Sequence, residues 1–170
     1  MIIFINGSFG SGKTTTAELL EKQIPNSMIF DPEEVGFFLR NVLGEIDPQP
    51  DDFQHYKLWR SLTVEMAKRL LDEYDKVLIM PMTIWRKEYF DEVITGLRAI
   101  DQKTYHFCLI ASPSTIQKRL HGRGQGPGGW AEKQIKDSLS AFESPDYEVK
   151  ISTDEMKPSM VVAEIMKQLK

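Results

Sequence analysis

The sequence predicts an α/β fold: a five-stranded parallel sheet with helices on both faces, three layers in all. Three observations predict it. Short apolar runs such as residues 2–5 and 107–110 lack polar alternation, as suits strands buried on both sides. Between them lie segments whose apolar residues recur at helical spacing. The two kinds of segment alternate along the chain, which implies a parallel sheet with crossover helices.

The first strand is Ile2, Ile3, Phe4 and Ile5, ending at Asn6. A glycine-rich loop follows, and then Ala17, Leu19, Leu20 and Ile24 mark a helix that Pro25 stops. Residues 28–30 form a short second strand. Val35, Phe38, Leu39 and Val42 are spaced as one face of a helix, and Pro48 and Pro50 break the chain after it. From Asp52 to about Tyr74, a stripe of Phe53, Tyr56, Trp59, Thr63, Ala67, Leu70 and Tyr74 predicts a long helix. Residues 77–80 make the third strand. Tyr89, Phe90, Val93, Ile94 and Leu97 face one side of a further helix, and residues 105–110 make the fourth strand. Ser112 and Pro113 open a helix as cap and first position. Another helix starts near Ala131, residues 149–151 form a short fifth strand, and an amphipathic helix runs from about Pro158.

Composition narrows the function. A chain of 170 residues suffices for one core, so residues 1–170 read as a single domain, expected to be cytoplasmic. The formal net charge of −4 gives no sign of a general nucleic-acid or membrane binder. No apolar stretch approaches the length of an integral membrane segment. The lone cysteine, Cys108, lies in an apolar run and reads as a buried, inert thiol. His55, His106 and His121 lack metal-ligand spacing and read as structural or surface residues.

The loop carries the chemistry. Gly7, Ser8, Phe9, Gly10, Ser11, Gly12, Lys13 and Thr14 spell G-x-x-x-x-G-K-[ST], a phosphate-binding loop between a strand and a helix. Its glycines let backbone N–H groups turn inward around an anion, and the helix N-terminus adds its partial positive charge. In this reading Lys13 reaches the β- and γ-phosphates of ATP, and Thr14 places its hydroxyl on Mg²⁺. Thr15 is counted with these nucleotide-binding residues. A second signal is the stretch from Gly122 to Gly129, which has five glycines and joins two helices behind Arg119 and Arg123. It reads either as a plain linker or as a lid, about residues 119–131, that closes over nucleotide. Phosphoryl transfer needs cations near the transferring group and water kept out, and an arginine-bearing lid supplies both.

With these features the chain resembles the nucleoside-monophosphate-kinase group of phosphate-loop proteins, which includes shikimate and gluconate kinases. Within it, the chain resembles the bacterial tunicamycin resistance protein family. The likeness rests on residues 1–14, on Asp31-Pro32-Glu33 with Gly36-Phe37 and Leu39-Arg40, and on Asp52-Phe53-Gln54 with Leu58-Trp59-Arg60. It continues in Pro81-Met82-Thr83-Ile84, Glu88-Tyr89-Phe90, and Trp130-Ala131 with Lys133-Gln134-Ile135. The resemblance implies strand order 2-3-1-4-5, Mg-ATP as ligand, and a hydroxylated or nucleoside-like acceptor near Asp31, Arg40 and Thr83.

Each of those residues carries a plainer reading as well. Asp31 follows the second strand, at the carboxyl edge where open parallel sheets bind ligands. The resemblance implies that a carboxylate there orients or deprotonates an acceptor hydroxyl; equally, Asp31-Pro32-Glu33-Glu34 is a helix start with Asp31 as cap. Glu33 is placed to hold magnesium-bound water. Arg40 reads as a clamp on an acceptor anion or as a solvated side chain. Thr83 reads as a ligand contact or as the cap of the helix near Arg86. Phe37, Phe38, Trp59 and Trp85 are candidate walls of an acceptor pocket or ordinary core, and Trp130 a candidate anchor for lid closure. Residues 151–154 lie where the group places its adenine-contacting loop. No carboxylate follows the third strand, which argues against a motor-type ATPase. The function expected is phosphoryl transfer to a small molecule, with catalytic roles for Lys13, Asp31, Arg119 and Arg123. The alternatives are a nucleoside or sugar kinase, or a non-catalytic ATP-dependent binding protein. A polynucleotide kinase is disfavoured by the net charge.

Overall fold

The structure is a computed structural model that describes residues 1–44, 50–122 and 130–169, with the backbone alone for 130–134. The chain begins with β1 (Ile2–Gly7), α1 (Lys13–Gln23), β2 (Ser27–Ile29) and α2 (Pro32–Val42). A 3₁₀ turn (Phe53–His55) leads into α3 (Lys57–Tyr74), β3 (Val77–Pro81), α4 (Lys87–Ile100) and β4 (Thr104–Ile110). Then come α5 (Pro113–His121), α6 (Trp130–Phe142), β5 (Lys150–Ser152) and α7 (Pro158–Gln168). The five strands pair in parallel in the order β2-β3-β1-β4-β5.

The reason for the unbroken apolar run in β1 is now visible. Successive side chains of a strand point to opposite faces. Ile2 and Phe4 join a cluster built with Trp59, Leu78, Met80, Phe90 and Leu97, while Ile3 and Ile5 join a second cluster with Ala17, Leu20, Ile79, Val162 and Ile165. Helices α3 and α4 cover the first face, and α1 and α7 the second. Both faces are therefore dry, and the alternation signal of a half-exposed sheet vanishes.

Two expected elements differ. The stretch from Asp52 to Tyr74 is not one helix. The Asp52 carboxylate accepts from the Gln54 N–H at 2.9 Å, which stabilises a separate turn, and extended Tyr56 restarts the chain as α3. On α2 the buried residues are Pro32, Val35, Gly36 and Leu39, whereas Phe38 and Val42 are exposed. Gly36 is the cause: a Cβ there would meet the Phe53 ring at 2.5 Å, so the bare glycine lets the helix turn this side to the 3₁₀ segment. Smaller shifts of one residue separate the expected and observed ends of β2, β5 and α6.

The first cluster also encloses a histidine. His106 is 3% exposed, its ring centroid 4.6 Å from that of Phe90, and neither ring nitrogen has a hydrogen-bond partner among the described residues. Burial, reinforced by the charge of Arg98, lowers its pKa to about 3. The unfolded chain therefore binds a proton near pH 6.5 that the folded chain takes up only near pH 3. Stability falls as pH drops through that window, by at most about 4–5 kcal/mol from this residue. His106→Phe is expected to remove this dependence, read as the difference in urea midpoint between the two proteins from pH 7 down to about pH 4. Equal slopes would contradict it. Cys108, fully buried in β4, has a thiol pKa raised to about 12 by burial, the inert state expected.

Candidate phosphate-loop active site

β1 runs directly into the glycine loop. Gly7 has φ of 143°, and a Cβ there would meet the Leu109 carbonyl oxygen at 2.4 Å, so only glycine fits against β4. Gly12, with φ of 101°, caps α1, and that helix start has no side-chain cap. The orphan N–H groups of its first turn are thereby left to an anion. Lys13 Nζ donates to the Ser8 carbonyl at 3.0 Å and lies over the Phe9 ring, which stretches the ammonium across the mouth of the loop.

The loop is clamped from both sides by residues distant in sequence. Asn6, fully buried, accepts from the Gly7 and Ile84 N–H groups and donates to the Ile84 carbonyl. The Thr83 hydroxyl donates to the Gly7 carbonyl at 2.8 Å, and Gln54 Nε2 donates to the Thr83 carbonyl at 2.9 Å. On the outer side, Arg119 donates to the carbonyls of Gly10 (3.1 Å) and Thr153 (2.6 Å), and the Thr153 hydroxyl donates to the Ser11 carbonyl (3.1 Å). Asp154 ties the same segment to the start of α5 by accepting from the Ser112 N–H and hydroxyl.

Three of the cavities bordering this loop bring the candidate residues together. The first, about 270 Å³, brings together Gly10, Gly12, Lys13, Thr14, Phe9, Asp31, Glu33 and Pro81. The second, about 380 Å³, lies outside the loop among Ser11, Thr15, Arg119, Thr153, Met156 and Val161. The third, about 420 Å³, lies between α2 and the 3₁₀ turn and includes Phe37, Arg40, Phe53, Gln54, Met82 and Thr83. Phe9 and Glu33 line both the first and the third, so the two are contiguous there. Thus Lys13, Thr14 and Asp31 share one cavity, Thr15 and Arg119 a second, and Arg40 and Thr83 a third. Ser8 and Ser11 are buried, and their hydroxyls have no hydrogen-bond partner among the described residues. Arg123 lies outside the described residues, and so does most of the expected lid.

Asp31 caps α2, its carboxylate accepting from the Glu33 N–H at 2.9 Å. Its pKa is raised, mainly by burial, against the opposing effect of that hydrogen bond. Burial likewise raises Glu33, and the neighbouring Asp31 charge adds to it. Two mutually repelling carboxylates that line one cavity with Thr14, at a helix start, are a donor set that would fit a divalent cation, whose charge would relieve both. Among the described residues no cluster of three or more His, Cys, Asp or Glu forms a self-sufficient metal site.

Of the candidate aromatic walls, only Phe37 lines the third cavity. Trp59 is core, donating to the Pro32 carbonyl at 3.0 Å; Phe38 points to solvent; Trp85 packs partly buried against the core, its carbonyl accepting from the Tyr147 hydroxyl. Thr83 is no helix cap, because α4 begins at Lys87 with Arg86 in the cap position. Asn6 and Thr153 carried no local signal of their roles, since their partners lie 78 and 142 residues away.

A glycine loop at the carboxyl edge of β1, with its lysine and threonine at a helix start, defines a phosphate-loop nucleotide-binding fold with kinase-like neighbours. The chain belongs to the AAA domain family, whose model matches residues 3–138. A search of curated proteins finds no match. Among solved structures, the tunicamycin resistance protein of Deinococcus radiodurans is similar over 98% of this chain and 94% of its own, at 26% identity and a TM-score of 0.81. A gluconokinase from Sinorhizobium meliloti 1021 (20% identity, 98% and 90% covered, TM-score 0.68) and the shikimate kinase of Aquifex aeolicus (20%, 99% and 96%, TM-score 0.57) share the fold. The expected resemblance and the strand order 2-3-1-4-5 are both borne out.

Proposed function

We propose that the protein transfers the γ-phosphoryl group of Mg-ATP to a hydroxyl of a small molecule. The observation that carries this reading is the contiguity of two cavities through Phe9 and Glu33: one holds Lys13 and Thr14, the other is walled by side chains suited to an organic acceptor. Nearness of donor and acceptor is most of what phosphoryl transfer asks of a protein. Adenine and ribose are assigned to the cavity of Thr15, Arg119 and Thr153. The backbone of residues 7–14 wraps the phosphates, and Lys13 balances their charge. Mg²⁺ is assigned to the Thr14 hydroxyl, with Asp31 and Glu33 reached through water; when bound, it neutralises charge on the phosphates. Glu33, bordering both cavities, and Asp31 beside it are the groups placed to orient the acceptor hydroxyl and take its proton. Arg123 is proposed to approach the transferring group from the lid.

The kinase-like structural neighbours support a nucleotide and a small-molecule acceptor, and no described helix is long and apolar enough to cross a membrane. A cytoplasmic location is proposed on the composition. The test is ADP release from Mg-ATP across hydroxylated antibiotics, sugars and nucleosides. Acceptor-dependent release is expected. Saturable ATP binding with no acceptor-dependent release would instead favour an ATP-dependent binding protein.

The geometry sets an expectation for Arg119. It braces the loop and lines the proposed base cavity, so Arg119→Ala is expected to raise KM for ATP roughly tenfold, as loss of charge-assisted hydrogen bonds does. Its kcat should change less. A large fall in kcat at unchanged KM would place Arg119 on the transferring phosphoryl group instead.

A further inference from the structure

The cavity proposed for the acceptor carries a charge pattern that restricts what can enter. Its described lining contains three carboxylates, Glu33, Asp51 and Asp52, and one guanidinium, Arg40. Arg40 is already engaged within the lining: it donates to the main-chain carbonyl of Asp51 at 2.7 Å and lies over the Phe53 ring at 5.5 Å from the centroid. Arg60, which is bonded to a residue of this lining, is buried and committed, donating to Glu92 at 2.6 Å and to the Gln54 carbonyl. Among the described lining of the neighbouring phosphate cavity the one cation is Lys13, which the phosphotransfer reading commits to the ATP phosphates.

The walls add a second constraint. Phe37 and Phe53 meet edge to face, centroids 6.2 Å apart at 75°, and Phe37 stays 47% exposed at the cavity mouth. Met82 and Phe9 continue the apolar surface. An exposed aromatic face on a wall of this kind stacks on flat rings and on the apolar face of sugars.

Resting on the phosphotransfer reading for the location of the acceptor, we propose that this cavity selects a ring-bearing, hydroxylated acceptor that is neutral or cationic, and rejects acceptors carrying a phosphate or carboxylate. Specificity is set by Asp51, Asp52 and Glu33 through like-charge repulsion, and by Phe37 through ring contact. Rejection by repulsion is a difference in affinity between congeners, so it is measured on congeners.

The experiment is equilibrium binding by calorimetry to wild-type protein saturated with Mg²⁺ and a non-hydrolysable ATP analogue. The probes are two pairs: uridine against uridine 5′-monophosphate, and glucose against glucuronate. The neutral member of at least one pair is expected to bind at least tenfold more tightly than its anionic partner. Asp51→Lys, an exposed position whose main-chain carbonyl still serves Arg40, should shrink that preference about tenfold, and Phe37→Ala should weaken the neutral probe by a similar factor. Anionic congeners that bind as well as their neutral partners in both pairs overturn the proposal, as does a panel in which no probe binds, or a preference unmoved by Asp51→Lys. Because the readout is binding, it separates from the catalytic reading. Charge-selective binding without ADP release would sink phosphotransfer and leave this inference standing, whereas ADP release with anionic acceptors would do the reverse.

Discussion

Replacing Lys13 with alanine is expected to abolish most of the stabilisation that Mg-ATP confers on this protein. A ligand that binds only the folded state raises stability by an amount that grows with the logarithm of its concentration over Kd, about 2.7 kcal/mol at a hundredfold excess. The Lys13 ammonium spans the mouth of the loop, between the Ser8 carbonyl and the Phe9 ring, over the cavity where the phosphates are proposed to sit. Alanine removes the charge but not the glycines or the helix start, so the apo protein should melt close to wild type. The measurement is Tm with and without millimolar Mg-ATP. Wild type should gain several degrees and Lys13→Ala little. An equal gain in both would remove Lys13 from the phosphate site.

The second large effect concerns the paired carboxylates. Asp31 caps α2, and asparagine caps almost as well as aspartate. Asp31→Asn should therefore fold normally. Burial has raised the pKa of both Asp31 and Glu33, and each charge is partly a burden on the other. A raised carboxylate stabilises the fold below its ordinary pKa and loses that advantage as pH rises through the raised value. At neutral pH, then, Asp31→Asn and Glu33→Gln should leave the apo protein as stable as wild type or more so. Turnover should respond oppositely. Glu33 borders both cavities and Asp31 only the phosphate cavity, so Glu33→Gln is expected to lower kcat by a factor of 10² or more, the range of a lost acid–base group, and Asp31→Asn by a lesser factor. Two variants with wild-type kcat would reduce this pair to a cap and its neighbour. Variants that lose stability would contradict the cost assigned to their burial.

How far the sequence reaches depends on how local the physics is. The loop from Gly7 to Thr14 was readable because its spacing, glycines and helix start all fall within a few residues. Asp31 and Glu33 were readable because a strand end followed by Asp-Pro-Glu is a local signal for a helix start at a binding edge. The sheet was readable from apolar runs, and its order came from the family resemblance, since alternation alone leaves the order open. What stayed hidden depends on chain segments meeting across the fold. Asn6 bonding Ile84, Thr83 bonding Gly7, and Arg119 bonding Gly10 and Thr153 join residues from 34 to 109 positions apart. Helical spacing put Phe38 on the inner face of α2. Contact between Gly36 and Phe53, which no periodicity encodes, turned that face outward and left Phe37 beside the cavity. The long helix expected from Asp52 failed for a related reason: a side-chain cap at Asp52 competes locally with helix continuation, and apolar spacing does not record it.

The central claim is that two contiguous cavities pass a phosphoryl group from nucleotide to acceptor. It is tested most directly by following the γ-phosphorus of ATP by ³¹P NMR in the presence of Mg²⁺ and a neutral hydroxylated acceptor that the protein binds. The account predicts that a new phosphate-ester resonance grows in step with ADP, and that Glu33→Gln slows both together. ATP left intact, or γ-phosphate released only as inorganic phosphate at a rate indifferent to the acceptor, would contradict it.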